Sequence, residues 1–262
     1  MRIALVTGGG RGIGRECALA LARHGFAVAA AARTLGEVER VAGEALGLGA
    51  RAFAVGLDVA DPASVERAAR EVVDALGPVD VLVNNAGIAQ SAPFGRTDLE
   101  LWDRHLRVNA TGPYLVTRAV LPGMLARGWG RVINVASLAG LHGAPYVSAY
   151  VASKHALVGL TRALAAEVAG KGVTVNAICP GYVASDMTWT SARNIVAKTG
   201  TSYEDAVAGL ARMNPGGRLI EPAEIADVVL RLIEDDRTNG DSIVMDGSTP
   251  SPTPEATTRR TA

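Results

Sequence analysis

A chain of 262 residues, 48% hydrophobic and 20% charged, can bury one sizeable α/β core and is not a disordered segment. Its 26 basic side chains balance 26 acidic ones, so no global basic field exists to hold nucleic acid or an anionic membrane. Two cysteines, Cys17 and Cys179, are too few for a disulfide framework and read as small buried hydrophobes, and nothing has the spacing of a metal cluster.

The chain opens on RIALVTGGG, a β-rich run entering a glycine turn, so no secretory leader is expected. Its longest apolar run, Phe26–Ala32, falls far short of the ~20 residues of a membrane span, so a cytoplasmic protein is expected. Seven β-rich runs follow in order: Ile3–Val6, Ala27–Ala31, Ala52–Leu57, Val79–Val83, Arg131–Val135, Val173–Ile178 and Ser242–Met245. Between them lie Gly14–His24, Leu35–Leu46, Pro62–Leu76, Leu99–Arg127, Ser148–Ala169 and Pro222–Glu234, each with apolar residues at helical spacing. This alternation predicts an α/β fold: a doubly wound, parallel, seven-stranded sheet with helices on both faces, in a single domain over residues 1–247. The polar stretch 185–214, broken by Gly200, reads as a lid inserted near strand C-termini. The Pro-, Ser- and Thr-rich tail, 248–262, is expected to be disordered.

The segment TGGGRGIG joins the first strand to the first helix. Gly8, Gly12 and Gly14 permit a tight turn and close backbone approach to a pyrophosphate, with the helix dipole facing it. Where an NAD site wants an acid after the second strand, Ala32 stands instead, followed by Arg33. With Arg11, that guanidinium can hold a 2′-phosphate, so NADP(H) is preferred and NAD(H) remains possible. Glu37 is expected one turn into the next helix, pointing away. Asp58 is placed to accept from an adenine amino group, whereas Asp61, before Pro62, is the turn or cap residue. The run Asn84-Asn85-Ala86-Gly87 suits a turn that ties neighbouring strands while its backbone approaches the cofactor.

Only three of the basic residues are lysines, and one of them, Lys154, stands four residues after Tyr150 in a helical segment. Phenol and ammonium therefore share a helix face, and the cation is expected to lower the phenol's pKa toward the range of proton exchange. Ser137 ends the fifth strand, where a hydroxyl can donate to a substrate carbonyl. Asn109, polar inside an amphipathic stretch, can bend its helix and hold a water that orders Lys154.

Taken in order, TGGGRGIG, Asp58, NNAG, Asn109, Ser137, Tyr150-x-x-x-Lys154 and Pro180-Gly181 make the chain resemble the short-chain dehydrogenases/reductases of the compact Rossmann type, from about Ile3 to Gly247. The resemblance implies an enzyme acting on CH–OH groups, with Tyr150 as proton donor and acceptor. It implies that Lys154 depresses the Tyr150 pKa and binds ribose hydroxyls, that Ser137 polarises the substrate oxygen, and that Asn109 holds a relay water. It sets Ile13, Val59, Asn85, Ala86, Gly87, Pro180, Gly181 and Val183 against the cofactor. The expected pocket is apolar, walled by Ser137, Leu141, Tyr146, Tyr182, Met187 and Trp189, with Ile88 to Phe94 opposite.

The helical segments look most like reductases of 3-oxoacyl thioesters and polyketide ketoreductases. Arg127 and Arg131, separated by Gly-Trp-Gly, are a poor match to the basic cluster that docks acyl carriers, so a coenzyme A ester or free ketone fits as well. An NAD-dependent hydroxyacyl or hydroxyacid dehydrogenase is the alternative. A non-catalytic nucleotide sensor would usually lack part of the Ser–Tyr–Lys set, which is complete here. The resemblance also implies a homotetramer, or a dimer.

Overall fold

The strands are Ile3–Thr7 (β1), Ala27–Ala32 (β2), Ala52–Gly56 (β3), Val81–Asn84 (β4), Gly130–Val135 (β5), Val173–Pro180 (β6) and Ser242–Met245 (β7). In the computed structural model, which describes residues 1–248, they form one parallel sheet in the order β3-β2-β1-β4-β5-β6-β7. The helices are α1 (Gly12–Arg23), α2 (Leu35–Gly47), α3 (Pro62–Leu76), α4 (Leu99–Leu106), α5 (Gly112–Arg127), α6 (Ser148–Val168), α7 (Asp186–Thr199), α8 (Tyr203–Arg212) and α9 (Pro222–Glu234).

Alternation along the strands assigns the two faces. Ala4, Val6, Val28, Ala30, Val83 and Ile133 pack with α1, α2 and α9. The intervening Leu5, Ala29, Leu82, Val132 and Val175 pack with α3, α5 and α6. Burial on both faces is why β1 and β2 are continuous apolar runs, and the alanines of β2 let helices approach closely. The expected doubly wound, single-domain sheet is therefore the fold observed.

Two expected elements differ. The stretch Leu99–Arg127 is not one helix, because its backbone widens into a π turn at Arg107–Thr111, around Asn109. Such turns carry one extra residue per hydrogen-bonded loop and re-aim the side chains beside them. The stretch 185–214 folds into α7 and α8, with Gly200 ending α7 at φ +73°. These helices share a small core of Ala192, Ala206 and Leu210, joined by Tyr182. The tail expectation, from residue 249 onward, lies outside the described residues. Among the described residues no helix is long and apolar enough to cross a membrane.

Asp61 caps α3, its carboxylate accepting from Ala63 N at 3.0 Å with Pro62 in the first turn. Asp61→Ala is expected to lower stability by about 1 kcal/mol, read as a lower urea midpoint at unchanged slope. The sheet order reverses between β1 and β4. At such a switch point the crevice beyond the strand C-termini is where ligands bind in this architecture.

Candidate active site

The glycine turn and the segment after β4 close one cradle across that switch point. Gly8 and Gly12 sit at φ +62° and +51°, left-handed backbone that glycine adopts without strain. A Cβ on Gly14 would meet Gly8 O at 2.2 Å, so the first turn of α1 packs directly on the glycine turn that leaves β1. Asn85 Nδ2 donates to Thr7 O and Gly8 O at 3.0 and 3.1 Å, and Thr7 Oγ1 accepts from the Asn85 and Ala86 N–H groups. One strand over, Asn84 Nδ2 donates to Asn134 Oδ1 and Thr117 Oγ1. The asparagines thus tie β1, β4 and β5 together.

The start of α1 suits an anion. No side chain caps it and no acid occupies its first turn, so its N–H groups and positive dipole end are left for a ligand. A Cβ on Gly12 would meet only Ser185 Cβ, at 3.6 Å, leaving space beside the turn. A pyrophosphate fits this donor set.

Around the turn, several expectations change. Glu37 does not point away: a Cβ on Gly10 would meet Glu37 Cβ at 2.7 Å and Oε2 at 3.0 Å. It stands in the first turn of α2, where side chains lean toward the helix N-terminus and hence toward the glycine turn. Arg33 is exposed just beyond β2, and the Arg11 guanidinium lies 3.7 Å from Asp186 on α7. Asp58 also has a turn role, which had been expected of Asp61 alone, since its Oδ1 accepts from Ala60 N at 2.9 Å. Val59 is buried against Gly112, Val183 is buried beside Ile220, and Ile13 rests on the core. Side-chain packing claims these three, so their contribution to the crevice is backbone.

Helix α6 carries Tyr150, Ser153 and Lys154 past the C-terminal end of β5. Lys154 is buried, its Nζ donating to Val135 O at 2.8 Å and standing 5.8 Å from the centre of the Tyr150 ring. Burial holds its ammonium down to about 8. The Ser137 oxygen accepts from Ala139 N at 3.1 Å, and its hydroxyl lies beside the Tyr150 phenol. Burial pushes the phenol above its ordinary value, with Ser137 opposing. The expected depression by Lys154 is not a property of the folded chain by itself: burial sets the direction of the shift, and the Lys154 Nζ is turned to the β5 carbonyl.

Asn109 is fully buried in the π turn. Its Oδ1 accepts from Ile88 N at 2.9 Å, while Nδ2 donates to Ile88 O and Ser153 Oγ at 2.9 and 3.0 Å. Ser153 Oγ in turn donates to Tyr150 O at 2.7 Å. The amide expected to hold a water is thus engaged in pinning the loop after β4 to α6. Asn109 Oδ1 and Lys154 Nζ nonetheless flank Gly87, 3.2 and 3.7 Å from where a Cβ would stand.

The expected apolar wall divides. Leu141 packs against the small core that includes Ala136, Leu157 and Cys179, and Tyr182 joins the core shared by α7 and α8. Tyr146 and Met187 are exposed, and Trp189 is half-buried. Tyr146 adopts φ +65°, a strained conformation for a large side chain.

Residues 2–195 match the family model described as short chain dehydrogenase. The chain belongs to the short-chain dehydrogenase family. It is 38% identical over 254 residues to oxidoreductase UcpA of Escherichia coli (strain K12), covering 96% of this chain and 95% of that one. It is 39% identical over 247 residues to 2-(S)-hydroxypropyl-CoM dehydrogenase 3 of Xanthobacter autotrophicus (strain ATCC BAA-1158 / Py2), covering 94% and 95%. It is also similar to the crystal structure of a variant actinorhodin polyketide ketoreductase with NADPH: TM-score 0.90, 36% identity, 94% of this chain and 96% of that one. The short-chain dehydrogenase is an oxidoreductase acting on ketones and alcohols.

Two residues of this short-chain dehydrogenase are invisible in its motifs. Buried Asn214 accepts from Tyr182 N at 2.7 Å and donates to Tyr182 O at 2.9 Å, and a Cβ on Gly181 would meet it at 2.1 Å. It therefore sets the turn after β6, although in sequence it reads as an ordinary turn residue before Pro-Gly-Gly. The other is His105, fully buried against Tyr150, whose only sequence signal is a histidine on the apolar side of α4.

Proposed function

We propose that this short-chain dehydrogenase is an NADP(H)-dependent reductase of ketones, with a 3-oxoacyl thioester as the favoured substrate class. The observation that carries the reading is Ser137, Tyr150 and Lys154 gathered beside an uncapped helix start at the sheet's switch point. A nicotinamide dinucleotide supplies the hydride in reduction and accepts it in oxidation.

The protein's own residues do the rest. Ser137 donates to the substrate oxygen, and Tyr150, kept protonated by burial, passes its proton to that oxygen. Lys154, charged below about pH 8, stands beside the phenol and offsets the negative charge left on it. Asn109, through Ser153, fixes the turn of α6 on which Tyr150 rides. Gly8, Gly12, Gly14 and the backbone of Ile13 hold the pyrophosphate, while Asn85–Gly87, Pro180, Gly181 and the backbone of Val183 line the nicotinamide end. Asp58 and the Val59 backbone line the adenine end.

Arg11 and Arg33, both exposed beside the turn with Ala32 where an acid would exclude a 2′-phosphate, support NADP(H). The similar ketoreductase crystallised with NADPH supports it too. Glu37 favours a second reading, an NAD-dependent hydroxyacyl or hydroxyacid dehydrogenase, because its carboxylate lies against Gly10. Glu37→Gln is expected to lower KM for NADPH about fivefold, near 1 kcal/mol of removed repulsion, and to leave KM for NADH nearly unchanged. Initial rates with each nucleotide check this.

The exposed Tyr146 and Met187 support an acyl or alkyl substituent. Arg131 is buried, its Nε donating to Ile233 O, and Arg127 is bound to Asp80 at 3.0 Å and to Val79 O at 2.7 Å. Neither is available to dock an acidic carrier, so the thioester is a coenzyme A ester, with a free ketone the next choice. Exposed Leu99, Tyr114 and Val244 support a homotetramer, which light scattering tests. The reading as a whole is tested at 340 nm, with 3-oxoacyl-CoA and cyclic ketones against NADPH and NADH, and with hydroxy esters in reverse. No absorbance change with any of them would overturn it.

A further inference from the structure

The segment after β4, expected to wall the pocket opposite Ser137, is held at alternate residues. Ile88 is gripped through both backbone atoms by the Asn109 amide, and Ala92 N donates to Tyr146 O at 2.8 Å. Between them, Gln90 N donates to His105 Nε2 at 3.1 Å. A backbone N–H can only donate, so Nε2 is the accepting nitrogen and Nδ1 carries the proton, which it donates to Leu101 O at 2.8 Å. The same imidazole meets the Tyr150 ring edge to face, with centroids 6.4 Å apart and planes at 80°.

We propose that His105 is a positioning residue for the reaction: one fully buried, neutral imidazole holds the substrate-facing wall at Gln90 and the Tyr150 ring in a single register. The proposal rests on Tyr150 being the proton donor of the reading above. The ring has no spare capacity for a proton. Protonation at Nε2 would set a second N–H against that of Gln90, so the middle pin of the wall would be lost while those at Ile88 and Ala92 remain. The titratable groups facing the imidazole are the Tyr150 phenol from α6 and, on its own helix, the Arg104 guanidinium, which also bonds the Gln90 side chain. Burial and the Arg104 charge both disfavour the imidazolium, so the pin holds at neutral pH and fails only below the ordinary histidine range. Tyr150 and Lys154 are both protonated throughout that acid range, so an acid-side loss of ketone reduction needs another group.

The test is steady-state ketone reduction from pH 5 to 8 by the full-length wild type and by His105→Leu, His105→Gln and Tyr150→Phe. His105→Leu leaves the Gln90 N–H without an acceptor, and KM for the ketone is expected to rise about tenfold, with a smaller fall in kcat. His105→Gln restores an accepting oxygen that does not titrate. It should bring KM back to within about threefold of wild type and remove the acid limb of kcat/KM. Wild-type KM and an unchanged acid limb in His105→Leu would overturn the proposal, as would equal impairment of the Leu and Gln variants. Should the Leu variant not fold, an acid limb retained in His105→Gln overturns it, and its loss supports it. Full turnover by Tyr150→Phe would instead overturn the catalytic reading, so the two failures are told apart.

Discussion

Tyr150→Phe is expected to lower kcat for ketone reduction by about 10²–10⁴-fold, the range for removing a positioned general acid, while KM for the ketone and affinity for the nucleotide change little. Phenylalanine keeps the ring, its edge contact with His105 and its seat on α6, so the fold is not at issue. What is lost is the hydroxyl that carries the proton in the proposed mechanism. The direction of the phenol's shift adds a sign. Because burial raises its pKa, the protonated form prevails across neutral pH and reduction needs no further protonation there. Alcohol oxidation needs the phenolate, so its rate should climb as pH rises above neutrality. Stopped-flow measurement of a single turnover in each direction separates this step from product release. Oxidation independent of pH from 7 to 10 would contradict the assignment.

Lys154→Met is expected to move activity and stability in opposite directions. The folded-state pKa of the lysine, about 8, lies below the ordinary value of 10.5, so the unfolded chain binds the proton more tightly. Below pH 8 the whole penalty for burying the charge is present, about 3 kcal/mol. Stability rises with pH between about 8 and 10.5, where the folded protein releases a proton that the unfolded chain keeps. Methionine has a similar unbranched shape and no charge, and it forfeits only the bond to Val135 O, worth about 1 kcal/mol. The net gain at pH 7 is about 2 kcal/mol, or roughly 4–8 °C in Tm for a chain this size. Reduction should fall at least about a hundredfold, because nothing then offsets the charge left on the phenol. Thermal unfolding of the variant and wild type at pH 7 and pH 10.5 checks the first part: the gain should shrink at the higher pH. A variant less stable than wild type at pH 7 would show that the lysine's hydrogen bond outweighs its desolvation.

Local signals in the chain suffice for the architecture and for the neighbourhood of Tyr150 and Lys154. Alternating β-rich and amphipathic stretches leave a doubly wound sheet as the arrangement that buries both faces of runs such as β1 and β2. Tyr150 and Lys154 are one helical turn apart, so their neighbourhood follows from helix geometry alone, and the glycine turn is likewise a local signal. What depends on residues distant in the chain emerged only on folding. The phenol's pKa rises rather than falls because desolvation is set by everything packed around it, not by the lysine four residues on. Glu37 faces the glycine turn because α2 is docked with its first turn there, and Asn109 is consumed by Ile88 and Ser153, 21 and 44 residues away. His105 and Asn214 find their partners only when the loop after β4 and the turn after β6 are laid against α4 and the end of α8. Periodicity reports which face of an element is buried. Which polar atom is left to pair with which is settled when the elements meet, since a buried donor or acceptor must take whatever partner the packing brings.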